Sequence, residues 1–72
     1  MDAKKTGLFI SEKRKEMNLT QKELADRLCI TDKAVSKWER GLSFPDISVL
    51  IPLSEELKVT LYELLTGGCR YE

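Results

Sequence analysis

Asp32, Lys33, Ser36 and Lys37 put a carboxylate, two ammonium groups and a hydroxyl within a span of six residues. Such a set donates and accepts hydrogen bonds and carries charge, which is the chemistry of recognition. Catalysis has less to work with. The chain contains no histidine, so the commonest general base and metal ligand is absent. Glu55, Glu56 and Glu63 are close in sequence, but adjacent carboxylates on one helix point apart, and no histidine or cysteine joins them. Cys29 and Cys69 lack two further ligands at zinc spacing. A chain of 72 residues also has little depth for a substrate cleft, since it buries only about 60% of its unfolded surface. The sequence therefore predicts no enzyme, no catalytic residues, no metal and no cofactor.

Charge gives the recognition chemistry a direction. Lys+Arg and Asp+Glu number 12 each, so the formal net charge is zero. Residues 1–41, however, hold ten basic against seven acidic side chains, and residues 42–72 hold two against five. An asymmetry of this kind fits a polyanionic partner for the first half, and it equally fits surface charges that merely fell this way. The composition, 42% hydrophobic and 33% charged, is that of a globular chain. No window approaches the roughly 18 consecutive apolar residues of a membrane span. The N-terminus leads into no apolar signal segment. Two cysteines make a poor staple set for a secreted mini-protein, so a cytoplasmic setting is expected.

The recognition set must be held by helices. No stretch alternates apolar and polar residues long enough for a strand, and no Asn-Gly or Asp-Gly turn occurs. Thr20-Gln21-Lys22-Glu23 and Thr60-Leu61-Tyr62-Glu63 are capping boxes. Thr31 offers a cap with Asp32 in the first turn, and Asp46 offers another after Pro45. Gly41 and Gly67-Gly68 are stop signals. These marks predict five helices, at about 4–17, 21–28, 32–39, 47–57 and 61–66. Their apolar stripes are Phe9, Ile10 and Met17, then Leu24, Ala25 and Leu28, then Val35 and Trp38. The last two helices offer Val49, Leu50, Leu53 and Leu57, and Leu61, Leu64 and Leu65. Leu19, Ile30 and Val59 stand just before caps, where they staple the start of the next helix. Pro52 falls inside the fourth helix, where it removes one i→i−4 bond at a cost of about 3 kcal/mol and predicts a kink or a loosely wound first turn. The reading is all-α, with one domain over residues 1–72 and a flexible tail from about 67.

Helices two and three are joined by Cys29-Ile30-Thr31, which makes a helix-turn-helix unit of about residues 20–40. The two helices cross steeply, so the residue at their close approach must be small, and Ala25 falls there. Val35 and Trp38 face the core, three residues apart. Trp38 is a core residue at this spacing rather than a stacking platform for single strands. Asp32, Lys33, Ser36 and Lys37 are left on the outer face, near the helix N-terminus. A plain solvated face shares that pattern; a capped, short, lysine-bearing helix argues for recognition.

Thr20-Gln21-Lys22-Glu23-Leu24-Ala25, Val35-Ser36-Lys37-Trp38-Glu39-Arg40-Gly41, Pro45, and Val59-Thr60-Leu61-Tyr62-Glu63-Leu64-Leu65 together resemble the phage repressor and Cro family, also called the xenobiotic-response-element type. The resemblance runs from about residue 8 to residue 67. It implies a compact five-helix, lambda-repressor-like domain that reads operator DNA, usually as a dimer. It also implies a role for each matching residue. Thr20, Gln21 and Thr31 lie beside phosphates at helix starts, where backbone N–H groups and the helix dipole favour anions. Asp32, Lys33, Ser36 and Lys37 match base-reading positions of a helix whose N-terminal end enters the major groove. Either lysine can donate to guanine, and Asp32 can accept from cytosine N4. Arg40 and Ser43 match positions that clamp flanking phosphates. Arg14 and Glu39 match a structural ion pair between helices one and three.

Three departures from the pattern stand out. A turn position that is often glycine is Cys29, which strains the chain by about 1–2 kcal/mol if a positive φ is needed there. The loop Leu42-Ser43-Phe44 holds no cation, and the reading set contains an acid. The expected function is a sequence-specific regulator of transcription, a repressor that occludes a promoter. Its expected partners are double-stranded DNA and a second copy held through Leu61, Leu65 and Tyr71, with room for a further sensor or partner domain beyond this chain. The alternative is a protein-interaction module of the same fold, such as an antitoxin, anchored by Leu42, Phe44 and Tyr71.

Overall fold

The computed structural model describes residues 2–68. Among these the secondary structure is all helix: α1 (Ala3–Glu16), α2 (Gln21–Leu28), α3 (Asp32–Glu39), α4 (Ile47–Leu57) and α5 (Leu61–Thr66). Helix α1 begins and ends one residue earlier than the sequence marks suggest. Its cap is Asp2, whose carboxylate accepts the N–H groups of Lys4 and Lys5 at 3.0 and 3.2 Å. The two capping boxes form as reciprocal pairs. Thr20 N–H donates to Glu23 at 2.8 Å and Glu23 N–H to the Thr20 hydroxyl at 3.0 Å. Thr60 and Glu63 repeat the exchange, both at 3.0 Å.

Three of the connections use one device. Asn18-Leu19-Thr20, Cys29-Ile30-Thr31 and Lys58-Val59-Thr60 each begin with a left-handed residue, at φ 57, 59 and 58°. Each continues with an apolar residue whose N–H returns to a carbonyl five residues back, Leu19 to Arg14 at 3.1 Å, Ile30 to Ala25 at 3.0 Å and Val59 to Ser54 at 3.0 Å. Each ends on a threonine that caps the next helix. This is the Schellman stop followed at once by an N-cap, so one helix is closed and the next opened within three residues. All three left-handed positions are filled by residues other than glycine. Cys29 therefore carries the strain anticipated for it, and Asn18 and Lys58 share that conformation without a glycine to advertise it.

The core is Phe9, Ile10, Leu24, Ala25, Val35, Trp38, Leu53, Leu57 and Leu64, drawn from every helix. Met17 lies just past the end of α1 and packs half-buried against this core. Leu61, expected on an inward stripe, is 40% exposed, because α5 is short and buries Leu64 instead. Helix α4 runs through Pro52, which points to solvent, without a break. The Thr6 hydroxyl donates to the Leu64 carbonyl at 2.7 Å and ties α1 to α5.

Ala25 is fully buried. A further close backbone approach lies between α1 and α3, where a Cβ on Gly7 would overlap the Trp38 carbonyl oxygen. A glycine inside a helix costs about 1 kcal/mol relative to alanine, so its presence in α1 has this packing reason. Gly7→Ala is expected to lower stability by about 1–3 kcal/mol through overpacking, more than the helix propensity it restores. Urea unfolding checks this, and a raised midpoint would contradict the α1–α3 contact.

Candidate nucleic-acid interface

The residues expected to meet DNA sit on or beside two short helices, α2 and α3, whose starts are set by threonines. The Thr20 and Thr31 hydroxyls accept from Glu23 N–H and Ala34 N–H, at 3.0 and 3.3 Å. Each hydroxyl keeps its hydrogen for another acceptor. Both threonines are exposed, as are Asp32, Lys33, Lys37, Arg40 and Ser43; Ser36 and Gln21 are half-buried. With Glu23 N–H taken by Thr20, the first-turn N–H groups of α2 left without an intrahelical partner are those of Gln21 and Lys22.

Among the described residues, Lys13, Lys22 and Arg27 are held in surface ion pairs with Glu16, Asp26 and Glu56. Lys22 is held charged by its hydrogen bond to Asp26, which raises its pKa. Lys33, Lys37 and Arg40 join none of the ion pairs found there. They follow one another at i, i+4 and i+7, so they form one stripe along α3. Arg40 makes only a long contact to a backbone oxygen, from Nε to the Ser36 carbonyl at 3.4 Å. Three cations outside the ion pairs thus line the outer face of α3, with Asp32 at its first position.

One carboxylate holds this arrangement together. Glu39, the last residue of α3, accepts from Arg14 Nε at 2.6 Å and Nη2 at 3.0 Å. Its Oε1 also accepts from Gln21 Nε2 at 3.0 Å. Arg14 Nη1 donates to the Leu19 carbonyl at 2.7 Å, next to the cap of α2. The two charged side chains are only 10% and 8% exposed. Burial pushes the Glu39 carboxyl up, but hydrogen bonds from Arg14 and Gln21, the guanidinium charge and a hydrogen bond from Ser11 outweigh it. The net position is below the ordinary value of 4.5. The Arg14 guanidinium is raised, first by its hydrogen bond to Glu39. Gln21 therefore turns part of its amide inward. What remains open at this helix start is the pair of Gln21 and Lys22 backbone N–H groups.

Sequence reasoning missed Gly7 and Ser11 here. Gly7 had a signal, a glycine inside an amphipathic helix, while nothing marked Ser11 as a partner of a residue far along the chain. Of the residues proposed as protein-binding anchors, Leu42 is 63% exposed. Phe44 corrects that expectation, since it is half-buried. Tyr71 and Cys69 lie outside the described residues. Among the described residues, no group of three metal-ligating side chains comes together, and no helix is long and apolar enough to cross a membrane.

A family model described as helix-turn-helix matches residues 10–64. The HTH-type transcriptional activator BcrR of Enterococcus faecalis is 40% identical over 58 residues, covering 81% of this chain and 28% of that protein. The HTH-type transcriptional regulator YqaE of Bacillus subtilis is 44% identical over 54 residues, covering 75% of this chain and 47% of its own length. The chain thus spans between about a quarter and a half of these curated relatives. Among solved structures, the P22 c2 repressor in complex with synthetic operator 9T superposes with a TM-score of 0.83 at 31% identity, over 86% of this chain and 94% of the repressor chain.

The buried ion pair generates a prediction about acid. Because the Glu39 carboxyl titrates lower in the folded chain than in the unfolded one, its contribution is complete above the ordinary value of 4.5 and is lost as the pH falls through the depressed value. Thermal midpoints measured from about pH 6 to pH 3 should fall, and Glu39→Gln should flatten that fall. Arg14→Met strands the carboxylate and is expected to cost about 3–5 kcal/mol near neutral pH.

Proposed function

The chain belongs to the helix-turn-helix family, and on that premise we propose that it is the DNA-reading module of a transcriptional regulator. The observation that carries this reading is the row of unpaired cations on α3, set beside the open N-terminal end of α2. Asp32, Lys33, Ser36 and Lys37 face base edges in the major groove. Lys33 or Lys37 donates to guanine, and the Asp32 carboxylate, an acceptor only, meets a cytosine amino group. Thr20, Gln21, Thr31, Arg40 and Ser43 set the docking through phosphates and carry no sequence information themselves. The operator complex formed by the P22 c2 repressor supports this docking by likeness of fold.

Repression by occlusion is the outcome that binding alone produces, since a bound module covers promoter DNA without recruiting anything. The similar proteins include a transcriptional activator, BcrR, and a repressor, P22 c2, so the sign of regulation follows from where the site lies. The setting is the cytoplasm, where the regulated DNA lies. A module of this size gains specificity by pairing, so that two copies of α3 meet half-sites roughly 34 Å apart. Helix α5 is the surface we assign to that pairing, because Leu61 is 40% exposed and Leu65 is half-buried. Sedimentation with and without operator DNA should give a dimer on DNA; a single copy per site counts against it.

The test of DNA reading is selection from genomic fragments at about 150 mM salt, repeated with Lys33→Ala and Lys37→Ala. A near-palindromic site should be enriched, and each variant should relax it at defined base pairs, losing about 1–3 kcal/mol of discrimination per contact. Absence of enrichment in the parent chain contradicts DNA reading by α3.

A further inference from the structure

The stripe on α3 does not end with that helix. Lys33, Lys37 and Arg40 lead to a groove of about 190 Å³ between α1 and the end of α3, lined by Lys4, Leu8, Glu39 and Arg40. The chain brings α1 there because α3 stops at Gly41 in the left-handed region, at φ 74°. A Cβ on Gly41 would lie 2.7 Å from Lys4 Cγ, so the Lys4 stem packs directly on the helix stop. The acid of this groove, Glu39, is occupied by Arg14 and Gln21. The nearby Asp2 carboxylate accepts backbone N–H groups of Lys4 and Lys5 rather than an ammonium group. Lys4 and Arg40 are both exposed and join no ion pair among the described residues.

We propose that Lys4 is a fourth cation of the DNA-facing row and binds a backbone phosphate beyond the end of α3. The proposal rests on the DNA-binding reading above. The chemistry favours a duplex over a single carboxylate ligand. A duplex presents about one negative charge per 1.7 Å of its axis, so a line of cations that crosses the groove meets phosphates again at its far edge. The connection from α3 to α4 offers no cation at Leu42, Ser43 or Phe44. Lys4 occupies the same end of α3 from the other side, through the fold rather than through the sequence. A contact of this kind is blind to sequence and depends on salt.

The experiment titrates a random-sequence DNA duplex, and the selected operator duplex, with the whole chain at several potassium chloride concentrations. Lys4→Gln should reduce the slope of log K against log salt by about 0.9 for each bound chain. It should weaken both duplexes to the same degree, while its thermal midpoint stays at the parent value. Lys5→Gln, which changes the net charge equally from a groove lined by Asp2, Tyr62, Leu65 and Thr66, should leave the slope unchanged. If Lys4→Gln keeps the parent slope while Lys37→Gln weakens operator binding, the Lys4 contact is overturned and the DNA reading stands. Equal losses in Lys4→Gln and Lys5→Gln overturn it as well, as an effect of net charge. If the parent chain binds neither duplex in a salt-dependent way, both readings fall together.

Discussion

The Glu39 carboxylate is the constraint on which the rest of this molecule depends. It is the last residue of α3, the helix proposed to read DNA, and it is held by α1 through Arg14 and by the start of α2 through Gln21. A buried carboxylate is tolerated only if its hydrogen bonds are satisfied, and here three donors converge on it. Because those donors come from two other helices, satisfying the charge also fixes where α3 sits. The placement of the start of α2 relative to α3 thereby depends on this charge, while the apolar core beneath supplies the driving force. Gly7 completes the constraint, since it lets α1 approach the end of α3 closely enough for Arg14 to reach.

Short helices are weak alone, and the longest here has 14 residues. The structure compensates at their ends. Asn18-Leu19-Thr20, Cys29-Ile30-Thr31 and Lys58-Val59-Thr60 close one helix, staple the connection to the core and open the next. Three left-handed residues that are not glycine make these connections stiff, at some cost in stability. Stiffness matters most at Cys29, because the angle between α2 and α3 is set there. A loose turn would leave α3 free to swing, and the base contacts proposed for it require fixed geometry.

Zero net charge conceals a division of labour. Three cations away from α3 are neutralised in place, Lys13 by Glu16, Lys22 by Asp26 and Arg27 by Glu56. Those along α3 are not. A stripe of cations left outside the ion pairs attracts polyanions locally without a large overall charge. Membership in the helix-turn-helix family agrees with that distribution. The relatives extend well past the matched region, which spans about a quarter to a half of their length.

Much of this was legible in residue order, for a local reason. Caps, capping boxes and inward stripes act within four residues, so Thr20, Thr31, Asp46 and Thr60 announced their helices, and Val35 with Trp38 announced the inner face of α3. The outer face followed by elimination. The Arg14–Glu39 pair was reached through a family pattern, since nothing local links residues 25 positions apart. Other features were set by packing between distant segments. The left-handed turns at Asn18 and Lys58 carry no glycine to mark them, and the half-burial of Phe44 and the exposure of Leu61 depend on which neighbours the helices meet. Gln21 turning its amide to Glu39, Gly7 against Trp38, and Lys4 against Gly41 all require α1 to lie across α3. Sequence by itself determined which helices form and which side of each is polar, because those are short-range preferences. Tertiary structure decided which polar groups are consumed in the fold and which remain free to bind, because a charge is neutralised by whatever lies within a few ångströms of it, however far away along the chain.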